Sequence, residues 1–388
     1  MLPCTIITVT VILLISFSIK DTDSSKDSTC TKDSFPIHRK YFYVGGEYVF
    51  DVFSNSSFMT GQMYVEHLTS PFGIQQLYPL ILIHGNAMTG TNWLNTPDGR
   101  PGWASYFLEQ GYEVYIIDQP ARGRSIWLPN SGIAVKTYSA EMMEERFTAT
   151  SFYQLWPQAV LHTQWPGTNK TTRGRKGDPI FDTFYASTVQ LVANDTIAQI
   201  MMQKAGTALL DKIGAAILLT HSQSGSFGWL IADARPNLVK AIVAIEPKGP
   251  PFRKAVFTNI SSRAWGLTDI QLTYDPVINS SSDLLTIEIA SIHENRTSCI
   301  LQQEPAHKLI QLVNISVLIE TSQTSYHAVY DHCTVDFLRQ AGVQVDFIRL
   351  EDYGIYGNGH MQMMEMNNLQ IAEILHKWIT QNVHKITL

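Results

Sequence analysis

Short runs of apolar residues alternate with amphipathic segments from about residue 80 to the end of the chain. The apolar runs predict buried strands at LYPLILIHG, EVYIIDQP, AAILLTHS, VKAIVAIEP, NISVLIET and VQVDFIRLE. The segments with helical spacing predict helices at WASYFLEQGY, AGTALLDKIG, GSFGWLIADARP, DHCTVDFLRQAG and NNLQIAEILHKWITQNV. Buried strands that alternate with amphipathic helices are typical of a mostly parallel sheet covered on both faces, so the sequence predicts an α/β fold.

Residues 37–388 are expected to form this one domain, with additions at its start and within it. RKYFYVGGEYVF predicts two β-rich runs joined by a hairpin at Gly45-Gly46, and GQMYVEHLT predicts a further strand, so the sheet is mixed. Two stretches, about 129–185 and about 251–300, interrupt the alternation. Because α/β folds place ligand caps in insertions that follow strands, we expect both stretches to cap the functional site.

The first residues predict export from the cell. MLPCTIITVTVILLISFSIK holds one apolar stretch that is short for a bilayer span of about 20 residues, and it predicts a signal peptide over residues 1–18. An uncleaved anchor is the alternative. Residues 19–36 are polar and predict a flexible lead-in. Seven Asn-x-Ser/Thr sequons also favour a secreted, extracellular protein, and they start at Asn55, Asn169, Asn194, Asn259, Asn279, Asn295 and Asn314.

Three cysteines remain once the signal peptide is removed. We expect a disulfide between Cys299 and Cys333, because both residues flank the strand at 314–321 and exported proteins are oxidised. The partner of Cys30 stays open.

Composition excludes several classes of protein. Hydrophobic residues make up 45% of the chain and charged residues 16%, and the formal charge of −6 is scattered, without the basic stripe that nucleic-acid binding needs. The chain has neither a GxxxxGK[ST] phosphate loop nor a pair of CxxC motifs with zinc spacing. We therefore expect no nucleic-acid partner, no phosphate loop of this type and no metal site built from CxxC pairs.

Ser222 is the candidate nucleophile. It directly follows the strand AAILLTH and begins a tight strand–turn–helix, with Thr220 and Ser224 where such elbows usually carry glycine. A sharp turn of this kind lifts the hydroxyl out of the edge of the sheet. Ser224, flanked by serines at the same spacing, is the rival nucleophile, and a serine-rich helix cap without chemistry is the alternative to both.

The loops around this elbow supply candidate oxyanion donors. The backbone N–H of Gln223 would face the oxyanion, and the loop after LILIHG would supply a second N–H from Asn86, with Ala87 as the alternative. Gln119, at the end of the strand EVYIID, is expected on the wall of the site. Arg122 is expected to have a structural role.

His360 is the candidate base. It lies in the glycine-rich loop DYGIYGNGHMQ after the last strand, where it could reach the serine. His327 and His332, which follow the strand NISVLIET, are the competitors.

Taken together, these motifs resemble the α/β-hydrolase superfamily, and more narrowly a branch of atypical bacterial esterases with fungal secreted relatives. The resemblance runs from about residue 80 to the end of the chain, on HGNAMTG, DQ, THSQSG, EP and GNGHM. It implies an α/β-hydrolase fold and hydrolysis of an ester or related acyl bond by a Ser–Glu–His triad without a cofactor. It leaves the substrate open.

The acid of the triad is expected at Glu246. This residue ends the strand after the elbow's strand, and Pro247 stops that strand at once, so a carboxylate there could reach the histidine loop. The resemblance implies the same position. The alternatives are Glu320, within the strand NISVLIET, and Asp331, ten residues beyond its end, because in many such folds the acid follows this strand.

The expected function is that of a secreted serine esterase acting on a small-molecule acyl substrate. A lactonase or an amidase with the same triad, or a catalytically silent binding module, are the alternatives. The aromatic residues Phe152, Tyr153, Trp156 and Trp165 either line a pocket for an apolar part of the substrate or pack the cap.

Overall fold

A computed structural model of the chain describes residues 35–383. The expected signal peptide and Cys30 lie outside these residues. The strands are β1 His38–Asp51, β2 Ser56–Thr69, β3 Leu80–Ile83, β4 Val114–Asp118, β5 Val135–Lys136, β6 Leu191–Val192, β7 Ala216–His221, β8 Val239–Ile245, β9 Thr286–Ile289, β10 Cys299–Gln302, β11 Ser316–Thr321 and β12 Val345–Arg349. The helices are α1 Trp103–Glu109, α2 Ala140–Met143, α3 Thr150–Tyr153, α4 Pro179–Ala186, α5 Asp195–Ile213, α6 Ser224–Ala234, α7 Asp331–Gln340 and α8 Asn368–Asn382.

Eight of these strands form one central sheet in the order β1-β2-β4-β3-β7-β8-β11-β12. The first three pair antiparallel, and β4 to β12 pair in parallel. Every residue of β3, β4 and β7 is buried, which fits their apolar sequences and shows that both faces of the sheet are covered there. The predicted α/β fold with antiparallel N-terminal strands is confirmed.

The position of the first hairpin was predicted wrongly. Gly45 and Gly46 do not form its turn but lie inside β1, and the chain reverses at residues 52–55. Both glycines have positive φ, and a side chain on Gly45 would come within 3.3 Å of the Ala205 Cα in α5. Gly45 therefore allows close packing on α5, whereas a side chain on Gly46 would meet Gln62 of β2 at 3.0 Å, and the local sequence reveals neither need.

The two insertions are built from short elements. Residues 129–185 hold α2, α3, α4 and β5, and β5 pairs with β6 outside the central sheet. Residues 251–300 form loops and β9, which pairs with β10. The predicted disulfide joins Cys299, at the start of β10, to Cys333 in α7. It ties the second insertion to the main domain.

Within residues 35–383 no helix is both long enough and apolar enough to cross a bilayer.

Candidate active site

Ser222 lies on a strained turn between β7 and α6. Its φ is 58°, in the left-handed region that a non-glycine residue seldom adopts. The backbone N–H of Ser222 donates to the Ile245 carbonyl at 3.0 Å, and the Ser222 carbonyl accepts from Gly225 and Lys248 at 3.0 and 2.8 Å. These bonds hold the turn in place and leave the side chain at the surface of a cavity.

Three glycines give this turn its room. A side chain on Gly225 would lie 2.5 Å from Pro247, and one on Gly85 would lie 3.0 Å from the Ser222 Cβ. A side chain on Gly228, one turn into α6, would lie 3.0 Å from the methyl group of Thr220. The chain accommodates a β-branched Thr220 at the elbow because the facing helical position is a glycine.

Ser224, the rival nucleophile, is engaged with the backbone. Its hydroxyl is fully buried and lies 2.7 Å from the Ile83 carbonyl and 2.9 Å from the His221 carbonyl. The same oxygen accepts from the His221 N–H at 2.7 Å. The Ser224 side chain therefore joins β3 to the elbow and does not line the cavity.

The histidine loop brings His360 to the same cavity as Ser222. His360 Nδ1 lies 2.5 Å from Glu246 Oε2, and its Nε2 lies 3.4 Å from the Tyr326 hydroxyl. His221 lies against the other side of the ring, 4.5 Å between centroids, with Nε2 2.9 Å from the His360 carbonyl. His221 thus fixes the backbone of the histidine loop.

Glu246 follows β8 directly, in a backbone conformation with φ of 44°. Its Oε1 accepts from the Ser322 N–H at 2.8 Å, and its Oε2 accepts from the Ser325 hydroxyl at 2.6 Å. Burial raises the pKa of Glu246 to about 7, and burial lowers the pKa of His360 well below its ordinary value. The imidazole is therefore neutral and able to accept a proton at neutral pH.

The competing acids and bases have other partners. Asp331 accepts from the Thr321 hydroxyl at 2.7 Å and lies 2.9 Å from His327 Nδ1, whose ring stacks on His360 at 4.8 Å. Glu320 is buried and contacts Gln362 rather than a histidine. His332 lies beside the disulfide, 3.5 Å from the Cys333 sulfur, and away from the cavity.

A buried arginine connects the two candidate oxyanion donors. Arg122 donates to the Gly85 carbonyl at 2.9 Å, to Asn86 Oδ1 at 3.3 Å and to Gln223 Oε1 at 2.7 Å. Within residues 35–383 the backbone N–H groups of Asn86 and Gln223 donate to no backbone carbonyl. Burial lowers the pKa of Arg122 to about 10, so a positive charge remains behind this loop at neutral pH. The arrangement suits a developing negative charge.

Gln119 and Ala87 are not among the residues that line the cavity. Gln119 is buried behind the oxyanion loop, where its N–H donates to His84 Nε2 at 3.1 Å. Ala87 is fully buried at φ 57°, and its carbonyl accepts from the Val189 N–H at 2.9 Å. Both residues therefore support the loop after β3 instead of lining the cavity. Their positions in the sequence do not tell these two roles apart.

The cavity beside Ser222 has a volume of about 110 Å³. Its wall combines polar groups with methionine and aromatic side chains, and both insertions contribute to it: Asn86, Met88, Tyr138, Met142, Arg146, Phe147, His221, Ser222, Phe257, Tyr326, His360 and Met361. None of the four aromatic residues expected from the sequence lines it. Trp156 packs behind Tyr326 and Phe257, Trp165 packs on Phe184, and Phe152 is mostly exposed.

Sequence reasoning also missed the support of the histidine loop. The buried Glu365 carboxylate accepts from the Gly359 N–H at 3.0 Å and from the Asn358 amide at 2.7 Å. It also lies 2.7 Å from His162 Nε2 in the first insertion. The first insertion is thus bonded to the loop that carries His360. The motif GNGHM contains two of these partners, Asn358 and Gly359, but Glu365 and His162 carried no local signal.

Two groups of side chains among the described residues are close enough to share a metal ion. In the first, Cys299 and Cys333 are oxidised to the disulfide beside His332. In the second, Glu246, His327 and His360 already contact one another or other side chains. Neither group is a free set of ligands.

Comparisons with known proteins agree with this architecture. The model of the α/β hydrolase fold family matches residues 78–269. A relative described as a probable secreted lipase phiG, from Fungal sp. (strain ATCC 74256), is 47% identical over 369 residues, which are 95% of this chain and 96% of the relative. A solved structure of a novel bacterial esterase has a TM-score of 0.59 at 23% identity, and the match covers 89% of this chain and 96% of that one. This chain belongs to the α/β-hydrolase family.

Proposed function

We propose that this protein is a secreted serine hydrolase that cleaves a carboxylic ester, with Ser222 as nucleophile, His360 as base and Glu246 as the acid. One observation carries the proposal. Ser222 is held at a positive φ on the wall of a cavity shared with His360, whose far nitrogen lies 2.5 Å from Glu246. The name of the 47% identical relative, a probable secreted lipase, supports ester bonds as the target.

The proposed reaction follows from these positions. His360 Nε2 takes the proton of the Ser222 hydroxyl as the oxygen attacks the carbonyl carbon of the ester. The backbone N–H groups of Asn86 and Gln223 stabilise the oxyanion, and Glu246 stabilises the imidazolium. When the carbon–oxygen bond to the alcohol breaks, His360 returns the proton to the departing alcohol. Water then attacks the acyl-enzyme by the same steps and releases the acid.

The cavity favours an apolar group next to the reacting carbonyl. Met88, Met142, Phe147 and Phe257 supply methyl and ring surface around it. At about 110 Å³ the cavity admits a small acyl or alcohol group as it stands. We infer that short-chain esters are turned over more readily than long-chain ones.

Three features support export. The relative is named as secreted, Cys299 is paired with Cys333, and every sequon asparagine is exposed. Structural disulfides are rare in reducing compartments. Glycosylation of the exposed sequons would be compatible with the fold, because none of these asparagines has to leave the core.

A panel of p-nitrophenyl esters of increasing chain length, with lactones and anilides alongside, tests the proposal. The wild-type protein should hydrolyse the short esters, and Ser222→Ala should lose this activity while keeping its melting temperature. Ser224→Ala is the matched control. It should melt at a lower temperature, because the His221 N–H loses a buried acceptor, at a cost of about 1–3 kcal/mol. Its turnover per site, counted with a fluorophosphonate, should stay near that of the wild type.

Retained hydrolysis in Ser222→Ala together with its loss in Ser224→Ala would move the nucleophile to Ser224. A wild-type protein that hydrolyses none of the substrates and takes up no fluorophosphonate would point to a binding module.

A further inference from the structure

The Tyr326 hydroxyl lies beside both reacting groups of the proposed mechanism. It is 3.4 Å from His360 Nε2, and Tyr326 lines the same cavity as Ser222. The Tyr326 ring lies on the cavity wall, with its centroid 4.9 Å from that of His360. This O–H group therefore lies beside the nitrogen that carries the proton, in the cavity where the Ser222 oxygen attacks.

The segment that carries Tyr326 is held by the acid itself. Ser325, the residue before it, donates from its hydroxyl to Glu246 Oε2 at 2.6 Å, and Ser322 donates its N–H to Glu246 Oε1. Phe257 of the second insertion and Trp156 of the first pack against the tyrosine ring, at 5.1 and 5.9 Å between centroids. The hydroxyl is therefore fixed relative to the Glu246–His360 pair by bonded neighbours and by packing.

The Tyr326 hydroxyl lies where the oxygen of the departing alcohol is expected. In acylation the oxygen of the departing alcohol must approach His360 Nε2, which returns the proton to it, and must lie on the side of the carbonyl carbon away from the oxyanion donors. The oxyanion donors Asn86 and Gln223 belong to the loops after β3 and β7, whereas Tyr326 follows β11. Tyr326 thus approaches the reacting centre from the side of the histidine loop.

We propose that Tyr326 is a further catalytic residue, which donates a hydrogen bond to the oxygen of the departing alcohol during acylation. The proposal rests on the proposed serine mechanism. As the carbon–oxygen bond breaks, its electron pair goes to the alcohol oxygen, and the proton on His360 Nε2 goes to the same oxygen. The Tyr326 O–H stabilises the charge that develops there and keeps its own proton throughout. Esters of alcohols that leave poorly are the substrates that gain from this contact.

The protonation state of Tyr326 suits this role. Burial, reinforced by the charge of Glu246, raises the pKa of Tyr326 well above its ordinary value. The phenol therefore keeps its proton at neutral pH and does not compete with His360 as a base.

The test compares Tyr326→Phe with the wild type on acetate esters of p-nitrophenol, phenol and ethanol, which leave in that order of increasing difficulty. The measured quantity is kcat/KM, because it reports the steps up to acylation and excludes the deacylation that the three esters share. For ethyl acetate we expect a loss of about 10- to 100-fold, the effect of one hydrogen bond to a developing charge. For p-nitrophenyl acetate, whose leaving group needs little assistance, the loss should be less than about threefold.

Tyr330→Phe is the matched control. Tyr330 is a buried tyrosine four residues further on, whose hydroxyl lies 3.0 Å from His327 Nε2 and does not reach Ser222. It should leave the dependence on the leaving group unchanged. Stoichiometric labelling of Tyr326→Phe by a fluorophosphonate would show that its nucleophile is intact.

An equal loss on all three esters would overturn the proposal and make Tyr326 a packing residue, and so would no loss on ethyl acetate. An increase on p-nitrophenyl acetate with no extra loss on ethyl acetate would also overturn it, because the hydroxyl would then only compete for Ser222. If Ser222→Ala kept its activity, the serine mechanism itself would fail, whatever Tyr326→Phe does.

Discussion

Glu246 is fully buried, and burial raises its pKa to about 7, so its ionisation falls inside the working range of most enzymes. In the proposed mechanism, only the ionised carboxylate stabilises the imidazolium that forms when His360 accepts the serine proton. Because burial keeps His360 neutral to well below its ordinary pKa, the acid limb of kcat/KM should report Glu246. We expect kcat/KM to rise with pH and to level off above about pH 7.

Glu246→Gln should remove this limb and lower kcat by a factor on the order of 10³–10⁴, with little change in KM. Asp331→Asn is the comparison, since Asp331 bonds to His327 and Thr321 and should leave both the rate and the limb near those of the wild type. A pH–rate series on the three proteins measures this. Loss of activity in Asp331→Asn with normal activity in Glu246→Gln would return the acid to the position after β11.

Glu320 is a second buried carboxyl group near Glu246, and its ionisation should affect stability instead of catalysis. Burial and the neighbouring Glu246 raise the pKa of Glu320 well above its ordinary value, and within residues 35–383 its Oε1 has no hydrogen-bond partner. The side chain is therefore protonated in the folded protein at pH values where the unfolded chain has lost the proton. In that window stability falls as pH rises, from the unfolded pKa of about 4.3 up to the folded pKa.

Glu320→Gln removes this titration and keeps a polar group facing Gln362. We expect its melting temperature to fall less than that of the wild type between pH 5 and pH 8, with ester hydrolysis unchanged. Thermal melts at both pH values measure the difference. Parallel curves for the two proteins would show that Glu320 does not titrate in this range.

At the scale of elements, the turn between β7 and α6 explains how Thr220 replaces the usual glycine. Its methyl group would lie 3.0 Å from a side chain on Gly228. Gly228→Ala should therefore destabilise the protein by about 1–2 kcal/mol. Thr220→Ala removes the methyl group and should recover most of the loss in the double variant. A double-mutant cycle of denaturation free energies measures the coupling, and additive effects would rule out this contact.

Elements with a strong periodic signal were predictable from the sequence. The apolar runs at β3, β4, β7, β8, β11 and β12 are strands, and their carboxyl ends meet where a parallel sheet must bring them together. This is why Ser222, Glu246 and His360, far apart in the chain, could be expected at one site. The predicted position of the first hairpin was wrong, because Gly45 lies close to α5 and Gly46 lies close to Gln62 of β2 instead of forming a turn.

The residues of the two insertions that line the cavity were not predictable from the sequence. The insertions have no period that fixes which side chains face the cavity, so the expected aromatic residues pack elsewhere while Phe147 and Phe257 line it. Tyr326 was missed for another reason. It lies in a short helical turn after β11. Bonds from Ser322 and Ser325 to Glu246, and from Thr324 to the Asn358 carbonyl, hold that turn beside His360.

At the scale of the whole molecule, the Cys299–Cys333 disulfide makes the stability of the protein depend on whether its surroundings are oxidising or reducing. The bonded residues are 34 apart in sequence and join the second insertion to α7. Closing a loop of this length removes entropy from the unfolded chain worth about 4 kcal/mol in the chain-entropy model. The second insertion also supplies Phe257 to the cavity, so its attachment bears on the shape of the site.

We expect the double variant Cys299→Ala/Cys333→Ala to unfold at a lower denaturant concentration, with a loss of up to about 4 kcal/mol. Its KM for short esters should rise more than its kcat falls. The second insertion, which supplies Phe257 to the cavity, is then no longer bonded to α7, whereas Ser222, Glu246 and His360 lie outside that insertion. Equilibrium unfolding and steady-state kinetics measure the two effects, with wild-type protein kept in a thiol reductant as the comparison. Non-reducing peptide mapping that found either cysteine paired with Cys30, or a double variant as stable as the wild type, would contradict the assignment. If the reduced wild type and the double variant have the same stability and kinetics, the whole effect comes from this one bond. The stability of the fold then depends on an oxidising environment.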